Sequence, residues 1–364
     1  MVAKARIGII GVGNISPAYI NGCRAFDILD LVACADLDMD RARRVAAEHQ
    51  IPQVLTVDQM LASPDIDIVI NLTVPAVHAE VSQAVLNAGK HVYSEKPLSI
   101  SLSDAKAVMD LAAAKNLRVG CAPDTFLFAP HQTVRKLIDD GAIGKPVAAV
   151  GFMMGRGPEG WHPNPDFFYA PGGGPMLDMG PYYVTCLINL LGPAARVSGA
   201  AAISFPERIA GDGHHIPVKV PTHYAGTIEF VSGAVATLIT SFDIWGHRLP
   251  QMEVYGEKGS ITVPDPNGYN PKNIDLFDPS SHEWKPQEFT YVDEWKRGIG
   301  LADMAYAIQS GRPHRASGAL AYHVLEVMTA VEKASRSGQY VTIESRPEKP
   351  QALPTGLAPR VLDP

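Results

Sequence analysis

The chain has 364 residues, of which 46% are hydrophobic and 19% charged, and a formal net charge of -7. That length exceeds what one hydrophobic core supports and points to two domains. The acidic balance, with no basic patch or basic tail, excludes nucleic acid as a partner, and no apolar run nears the eighteen residues of a membrane span.

Residues 6–10 read as a short buried strand running into Gly11-Val12-Gly13-Asn14-Ile15-Ser16, with Pro17 opening a helix to about residue 25. Strand, glycine turn and helix arrive in the order a dinucleotide site requires. Gly11 permits the tight turn, and Gly13 lets the backbone approach a pyrophosphate. The helix N-terminus offers free N–H groups to the phosphates. Ser16 stands where a third glycine or alanine is usual and is small enough for close helix–sheet packing; taken alone, the pattern also fits an ordinary strand-to-helix turn.

Asp36 closes the next apolar run, residues 31–35, twenty positions beyond Ser16. A carboxylate there accepts from an adenosine ribose and repels a 2′-phosphate, so NAD is expected over NADP, with Leu37 beside it at the cofactor. Arg41, Arg43 and Arg44 follow on a predicted helix and weaken the preference unless they form a solvated face.

Further on, strands at 66–72, 91–94 and 118–121 alternate with helices at 77–88 and 102–115, the pattern of a parallel sheet. Ligands bind outside the carboxyl ends of such strands. Gly11 to Ser16, Asp36, Thr73 to Pro75, Glu95 to Pro97 and residues 122–124 end successive strands, so their shared edge is the expected cofactor cleft.

After residue 121 the pattern changes. A helix at 131–140 leads into strand-like runs at 147–153, 197–203, 222–230, 234–242, 252–255 and 260–263, several joined by glycine turns that suit an antiparallel sheet. Helices at 291–309 and 316–337 and a strand at 340–343 follow. The expected division is a dinucleotide domain at 1–124, an α+β substrate domain at 125–345, and a proline-rich tail at 346–364, extended or disordered. The fold class is therefore α/β: a doubly wound Rossmann sheet followed by an α+β domain with a large, open, mostly antiparallel sheet. Cys23, Cys34, Cys121 and Cys186 are scattered, so buried free thiols are expected and no metal site. Residues 1–6 lack an apolar signal core, and a cytoplasmic location with no membrane partner is expected.

Chemistry gathers in two stretches. Ser94-Glu95-Lys96-Pro97-Leu98 sets a lysine beside a proline at a strand end. In Gly172-Gly173-Gly174-Pro175-Met176-Leu177-Asp178-Met179-Gly180-Pro181-Tyr182, Pro175 fits a first helical turn, and Asp178 and Tyr182 then stand four apart on one face. Pro181 predicts a distortion there. The same spacing also fits a helix-start carboxylate with a half-buried tyrosine. Upstream, Trp161-His162-Pro163-Asn164-Pro165-Asp166-Phe167-Phe168-Tyr169 mixes aromatic faces with hydrogen-bonding groups, which suits either clamping a sugar ring or anchoring a surface loop. Asp124, Arg156, Arg297 and His323 are further candidates, with core packing the alternative for His323.

Gly11-Val12-Gly13-Asn14-Ile15, Thr73-Val74-Pro75 with His78, Gly89-Lys90-His91-Val92 leading to Glu95-Lys96-Pro97, and the triple glycine with Asp178 together resemble the glucose-fructose oxidoreductase/inositol dehydrogenase (Gfo/Idh/MocA) family over residues 5–343. The resemblance implies NAD bound by Gly11, Gly13, Asn14, Ile15, Asp36, Leu37, Thr73, Pro75, His78, Glu95, Lys96 and Pro97, and a homodimer or homotetramer. It implies that Lys96 reaches the reacting carbon of a sugar or cyclitol, with Asp178 and Tyr182 completing the site. Asp124, Arg156, Trp161, His162 and His323 are then candidate substrate contacts. Many relatives carry histidine where this chain has Tyr182; tyrosine resembles the branch of glucose-fructose oxidoreductase and dihydrodiol dehydrogenase.

Oxidising a secondary alcohol requires an acid/base within reach of the hydroxyl proton. Tyrosine and lysine titrate near 10 and 10.4, and a tyrosine beside a lysine cation loses its proton more readily. Tyr182 is assigned the proton transfer and Lys96 the polarisation of the same oxygen, with the reverse assignment open. Asp178 then accepts a neighbouring hydroxyl or orients Lys96. Two other readings remain: an NAD-dependent glycosidase acting by transient oxidation and elimination, and a non-catalytic dinucleotide sensor, against which the retention of Lys96 and Tyr182 argues.

Overall fold

The protein is seen as a computed structural model, which describes residues 3–268, 273–291, 297–358 and 360–363. Contacts divide the chain into two compact units. The first holds residues 1–129, 291–322 and 353–364; the second holds 130–290 and 323–352. The linear division at 124 and 345 thus differs from the division by contact, which returns two later segments to the first unit.

In the first unit, strands β1 (Ala5–Ile10), β2 (Leu29–Ala35), β3 (Gln53–Val54), β4 (Ile68–Asn71), β5 (His91–Ser94) and β6 (Val119–Cys121) alternate with helices α1 (Ser16–Ala25), α2 (Met39–Glu48), α3 (Val57–Ala62), α4 (His78–Asn87) and α5 (Leu102–Ala114). Among the described residues they form a parallel six-stranded sheet in the order β3-β2-β1-β4-β5-β6. Ile7, Ile9, Ile68, Val69, Ile70, Val92 and Tyr93 are buried, which explains why these strands read as continuous apolar runs and not as alternating ones. The strand order reverses at β1/β4, the place where a doubly wound sheet opens a crevice for a dinucleotide.

The second unit contains α6 (Ala129–Asp139, whose first residue belongs to the first unit), β7 (Pro146–Met154), α7 (Gly174–Asp178), α8 (Gly180–Leu191), β8 (Ala194–Ala202), β9 (Glu207–Ile209), β10 (His215–Pro217), β11 (His223–Phe230), β12 (Val235–Ser241), β13 (Met252–Gly256), β14 (Gly259–Val263), β15 (Ile274–Asp278) and β16 (Glu283–Gln287). With β17 (Val341–Thr342) they build, among the described residues, a nine-stranded sheet in the order β16-β15-β14-β13-β7-β12-β11-β8-β17, plus a separate β9–β10 hairpin. Every pairing in the large sheet is antiparallel except β12 with β7. Helix α8 is buried along its whole length, and Tyr183 and Leu187 pack over Gly151 of β7.

Helix α9 (Ile299–Ser310) belongs to the first unit, and α10 (Gly318–Ser337) gives five residues to the first and the rest to the second. The helix expected at 291–309 begins later than predicted, and residues 292–296 lie outside the described residues. The tail is not a free arm: Leu353 and Leu362 are buried, and Asp363 pairs with Arg315 at 2.8 Å. Apolar side chains spaced along a proline-rich segment hold it by burial without regular secondary structure. The four cysteines are free and buried, and desolvation pushes the thiols of Cys23 and Cys186 up to about 12. Among the described residues no helix is long and apolar enough to cross a membrane, and no cluster of His, Cys, Asp or Glu could hold a metal ion.

Candidate active site

The register of the parallel sheet fixes which groups meet at the cofactor edge. Ile10 pairs with both Ala35 and Asn71, Asn71 with Ser94, and Ser94 with Cys121, so five strands end in one row. Backbone bonds carry the row one residue further, Gly11 N–H to Ala35 O, Leu72 to Ile10, Glu95 to Asn71 and Ala122 to Ser94. Gly11, Asp36, Thr73 to Pro75 and Glu95 to Pro97 therefore leave the sheet at one level. From β2 to β5 this edge spans three strand spacings, about 14 Å, the reach of an extended dinucleotide.

The residues at this edge fit such a ligand. Gly11 sits at φ +92°, and a Cβ there would lie 2.8 Å from Leu72 O, so only glycine makes the turn. A Cβ on Gly13 would meet nothing within 4 Å among the described residues, leaving room above the turn for a phosphate. Ser16 is buried and its hydroxyl donates to Gly13 O at 2.8 Å, tying the loop to α1; the helix has no side-chain cap on its N-terminus. Leu37 after β2 and Val74 after β4 are 95% and 64% exposed, apolar surfaces flanking the place where an adenosine would lie. Burial raises the Asp36 carboxyl, but hydrogen bonds from Arg41 and from the N–H groups of Val12 and Asp38 outweigh it and hold the group below its ordinary value.

Lys96 rests on a buried anchor. The Glu95 carboxylate accepts from Tyr19 Oη at 2.6 Å and from Arg297 Nη1 at 3.2 Å, and its other oxygen accepts from the backbone N–H of Lys96 at 2.8 Å. Desolvation, followed by the Glu95 charge, keeps the Tyr19 phenol protonated. His78, placed at the cofactor by motif, is buried, with Nδ1 2.7 Å from Pro97 O and Nε2 2.9 Å from Thr73 O. Both neighbours are carbonyl acceptors, and burial lowers the pKa of the ring, so the neutral imidazole donates to one of the two turns that follow β4 and β5. Arg297 likewise serves Glu95. Neither Tyr19 nor Arg297 had a sequence signal tying it to that carboxylate; Arg297 is 202 residues away.

Asp124 is not a surface contact. It is fully buried, and one carboxylate oxygen accepts from Gly298 N–H at 2.8 Å and Gly300 N–H at 3.0 Å, capping α9. Desolvation pushes its pKa up; the other oxygen and the buried Tyr93 hydroxyl have no hydrogen-bond partner among the described residues.

In the second unit the Asp178 and Tyr182 pair differs from the expected single helical face. Helix α7 ends at Asp178, Met179 breaks the path at φ -108° and ψ -27°, and α8 restarts at Gly180 with Pro181 in its first turn. Proline has no N–H to donate and its ring collides with the carbonyl four residues back, so one continuous helix cannot run through it. Asp178 is half-buried and Tyr182 buried. The neighbouring Tyr183 is committed to Asp265 through its hydroxyl at 3.2 Å.

The triple glycine lets this helix start touch the aromatic loop. A Cβ on Gly173 would sit 2.4 Å from Phe167 O. The loop divides its aromatics: Phe168 and Tyr169 are buried with Ile216, Val218 and Phe242, whereas Trp161 is 75% exposed and Phe167 about half. His162 lies between them, its ring 5.6 Å from Trp161 and 5.0 Å from Phe168, both edge-on. The anchoring reading thus holds for Phe168 and Tyr169, while Trp161 and Phe167 present exposed faces.

Beneath the loop lies an ion cluster that the sequence did not announce. Buried Arg208, on β9, pairs with Glu159 at 3.1 Å and also with Asp243; Glu159 accepts from the Tyr169 hydroxyl, and Asp243 from Thr222 Oγ1 at 2.8 Å. Arg156 stacks on Trp245 at 4.5 Å, with Glu159 at 3.8 Å. The Gly211-Asp212-Gly213 turn was the available signal for the β9–β10 hairpin that carries Arg208.

His323 is a core residue. Its Nε2 accepts from Ala194 N–H at 2.9 Å and Nδ1 faces Ser345 Oγ at 2.7 Å, with the side chain fully buried. Desolvation depresses its pKa to about 4. An unfolded histidine titrates near 6.5. Below that value the unfolded chain takes up a proton the folded one refuses, so the contribution is complete above pH 6.5 and lost as pH falls toward 4, by as much as about 3 kcal/mol. Urea titrations at pH 7.5 and 4.5 should show a smaller loss in His323→Gln, which keeps an acceptor for Ala194; an equal loss would remove His323 from the acid response. His314, also lowered to about 4, supplies background in both proteins.

Residues 5–122 match the family model described as the oxidoreductase family with an NAD-binding Rossmann fold, and residues 131–262 match the GFO/IDH/MocA C-terminal domain. The chain is 28% identical over 348 residues to 1,5-anhydro-D-fructose reductase of Ensifer adhaerens, covering 93% of this chain and 99% of that one. It is 30% identical over 276 residues to dTDP-3,4-didehydro-2,6-dideoxy-alpha-D-glucose 3-reductase of Saccharopolyspora spinosa, covering 72% and 75%. Levoglucosan dehydrogenase in complex with NADH and levoglucosan shares the fold, with a TM-score of 0.82 at 21% identity over 94% of this chain and all of that one. Family models that match residues 5–122 and 131–262, with relatives that match through both units, place the chain in the GFO/IDH/MocA family of NAD-binding oxidoreductases.

Proposed function

We propose that the protein interconverts a secondary or anomeric hydroxyl of a sugar, sugar derivative or cyclitol with the corresponding carbonyl. The observation that carries this reading is the single row of strand ends, which sets the Glu95-Lys96-Pro97 turn at the same edge as the Gly11 turn and Asp36. The names of the relatives support the substrate class: a 1,5-anhydro-D-fructose reductase, nucleotide-sugar 3-reductases and inositol 2-dehydrogenases.

Bound NAD or NADH supplies the hydride acceptor or donor. The chain supplies the rest. Lys96 presents an ammonium to the reacting oxygen and stabilises the negative charge that grows there as its proton leaves. Its backbone is held by the Glu95 carboxylate, itself fixed by Tyr19 and Arg297, so the lysine starts from a rigid base. Tyr182 carries the proton to and from that oxygen, and Asp178 accepts an adjacent hydroxyl. Trp161 and His162 form a wall for the ring. Homo-oligomerisation is part of the same proposal, and light scattering on the eluted protein tests it.

Screening aldoses, ketoses, cyclitols and glycosides with NAD at the reduced-nicotinamide absorbance band tests the substrate class. A cyclic polyol is expected to exceed lactate or propan-2-ol by orders of magnitude in kcat/KM, because each unmatched buried polar group costs about 1–3 kcal/mol. Comparable activity on lactate would sink the carbohydrate reading, and glycoside hydrolysis without added cofactor would favour the glycosidase. Trp161→Ala should raise KM more than it lowers kcat, since a stacking wall binds ground and transition states about equally. Unaltered kinetics for the best sugar would take the loop out of the site.

A further inference from the structure

The Asp36 carboxylate is already fully engaged. Oδ1 accepts from Asp38 N–H at 2.9 Å and Arg41 Nη2 at 2.6 Å; Oδ2 accepts from Val12 N–H at 2.9 Å and Arg41 Nε at 3.2 Å. A carboxylate offers about four lone-pair sites, so a ribose diol can reach this one only by displacing a donor. The two backbone donors belong to the Gly11 turn and to the start of α2, where Asp38 caps the helix. Arg41 is the movable donor: its side chain is 41% exposed, whereas Asp36 is 6% exposed. Arg43 faces away onto Asp40 at 2.6 Å.

We propose that Arg41 is a residue that sets cofactor specificity by switching partners. On Asp36 its guanidinium competes with the ribose hydroxyls of NAD. Released from Asp36, it becomes the counter-ion of a 2′-phosphate, so that NADP also binds, though more weakly than NAD. A guanidinium fork suits either partner, because carboxylate and phosphate both accept two parallel N–H bonds. The inference rests on the NAD-dependent reading but concerns binding to the protein alone, with no substrate needed.

Calorimetric titration of NAD and NADP into the full chain and into Arg41→Met tests it. Removing a competitor whose ion pair is partly solvated should tighten NAD about two- to fivefold. Losing the counter-ion should weaken NADP about tenfold or more. Asp36→Ser, which frees Arg41, should tighten NADP by about tenfold or more, and that gain should vanish in Asp36→Ser/Arg41→Met. The exposed position of Arg41 keeps the variant folded, which a thermal melt verifies. Weaker NAD binding in Arg41→Met would make the arginine a strut for the adenosine and overturn the proposal, as would unchanged NADP affinity. Failure of the unmodified protein to bind either dinucleotide would instead overturn the NAD-dependent reading, and this inference with it.

Discussion

Replacing Lys96 by methionine is expected to remove turnover while leaving NAD affinity within several fold. Methionine keeps the length and apolar stem of lysine and deletes only the charge, so the Glu95 anchor, which grips the backbone N–H, survives. A group that acts mainly in the transition state lowers kcat and kcat/KM together, and this pattern separates polarisation of the reacting oxygen from a role in holding cofactor. Tyr182→Phe is expected to lower kcat by about two to four orders of magnitude, the range for losing a general acid or base. The double variant should be little worse than the more damaged single, because two groups serving one oxygen are not additive. Full turnover in Lys96→Met would eliminate the assignment. A fall of less than tenfold in Tyr182→Phe would hand the proton to Lys96 or to water.

Arg208→Met should be the most destabilising substitution in the second unit, by about 3–5 kcal/mol, since it strands the buried carboxylates of Glu159 and Asp243. Arg156, 3.8 Å from Glu159, compensates poorly. Because Glu159 also receives the Tyr169 hydroxyl and its backbone oxygen accepts from Gly211 N–H, the same change should release the loop bearing Trp161. Urea denaturation reads the first effect and a raised KM for the best sugar reads the second. Arg208→Lys should recover part of the stability. A loss within about 1 kcal/mol for Arg208→Met would mean that water reaches the cluster.

The dinucleotide half was legible because its signals are local. Strand, Gly11 turn, α1 and Asp36 all lie within residues 5–36, and each strand end reads directly from an apolar run followed by a turn. The alignment of those ends into one row was inferred only as a shared edge; the pairing of Ile10 with Asn71 is a register, which one-dimensional pattern does not carry. Asp124 was misplaced for a related reason, whereas His323 follows the core-packing alternative. The partners of Asp124 are backbone N–H groups 174 and 176 residues away, and a buried polar side chain looks the same in sequence as an exposed one. The break between α7 and α8 was announced by Pro181, while β9, β10, β15 and β16 were missed because short, half-polar strands have no clear period.

The discontinuity of the first unit has a consequence for synthesis. Its sheet is complete by Cys121, yet α9 and the segment holding Leu353, Leu362 and Asp363 join the same unit. On the ribosome, where domains fold as they emerge, the sheet must wait for residues 130–290 of the other unit to be translated before Arg297 can neutralise Glu95 and the Gly298 and Gly300 amides can reach Asp124. A nascent chain stalled before residue 297 would hold Glu95 without its guanidinium and Asp124 without its two amide donors, so firm fixing of the Lys96 turn waits for that later segment.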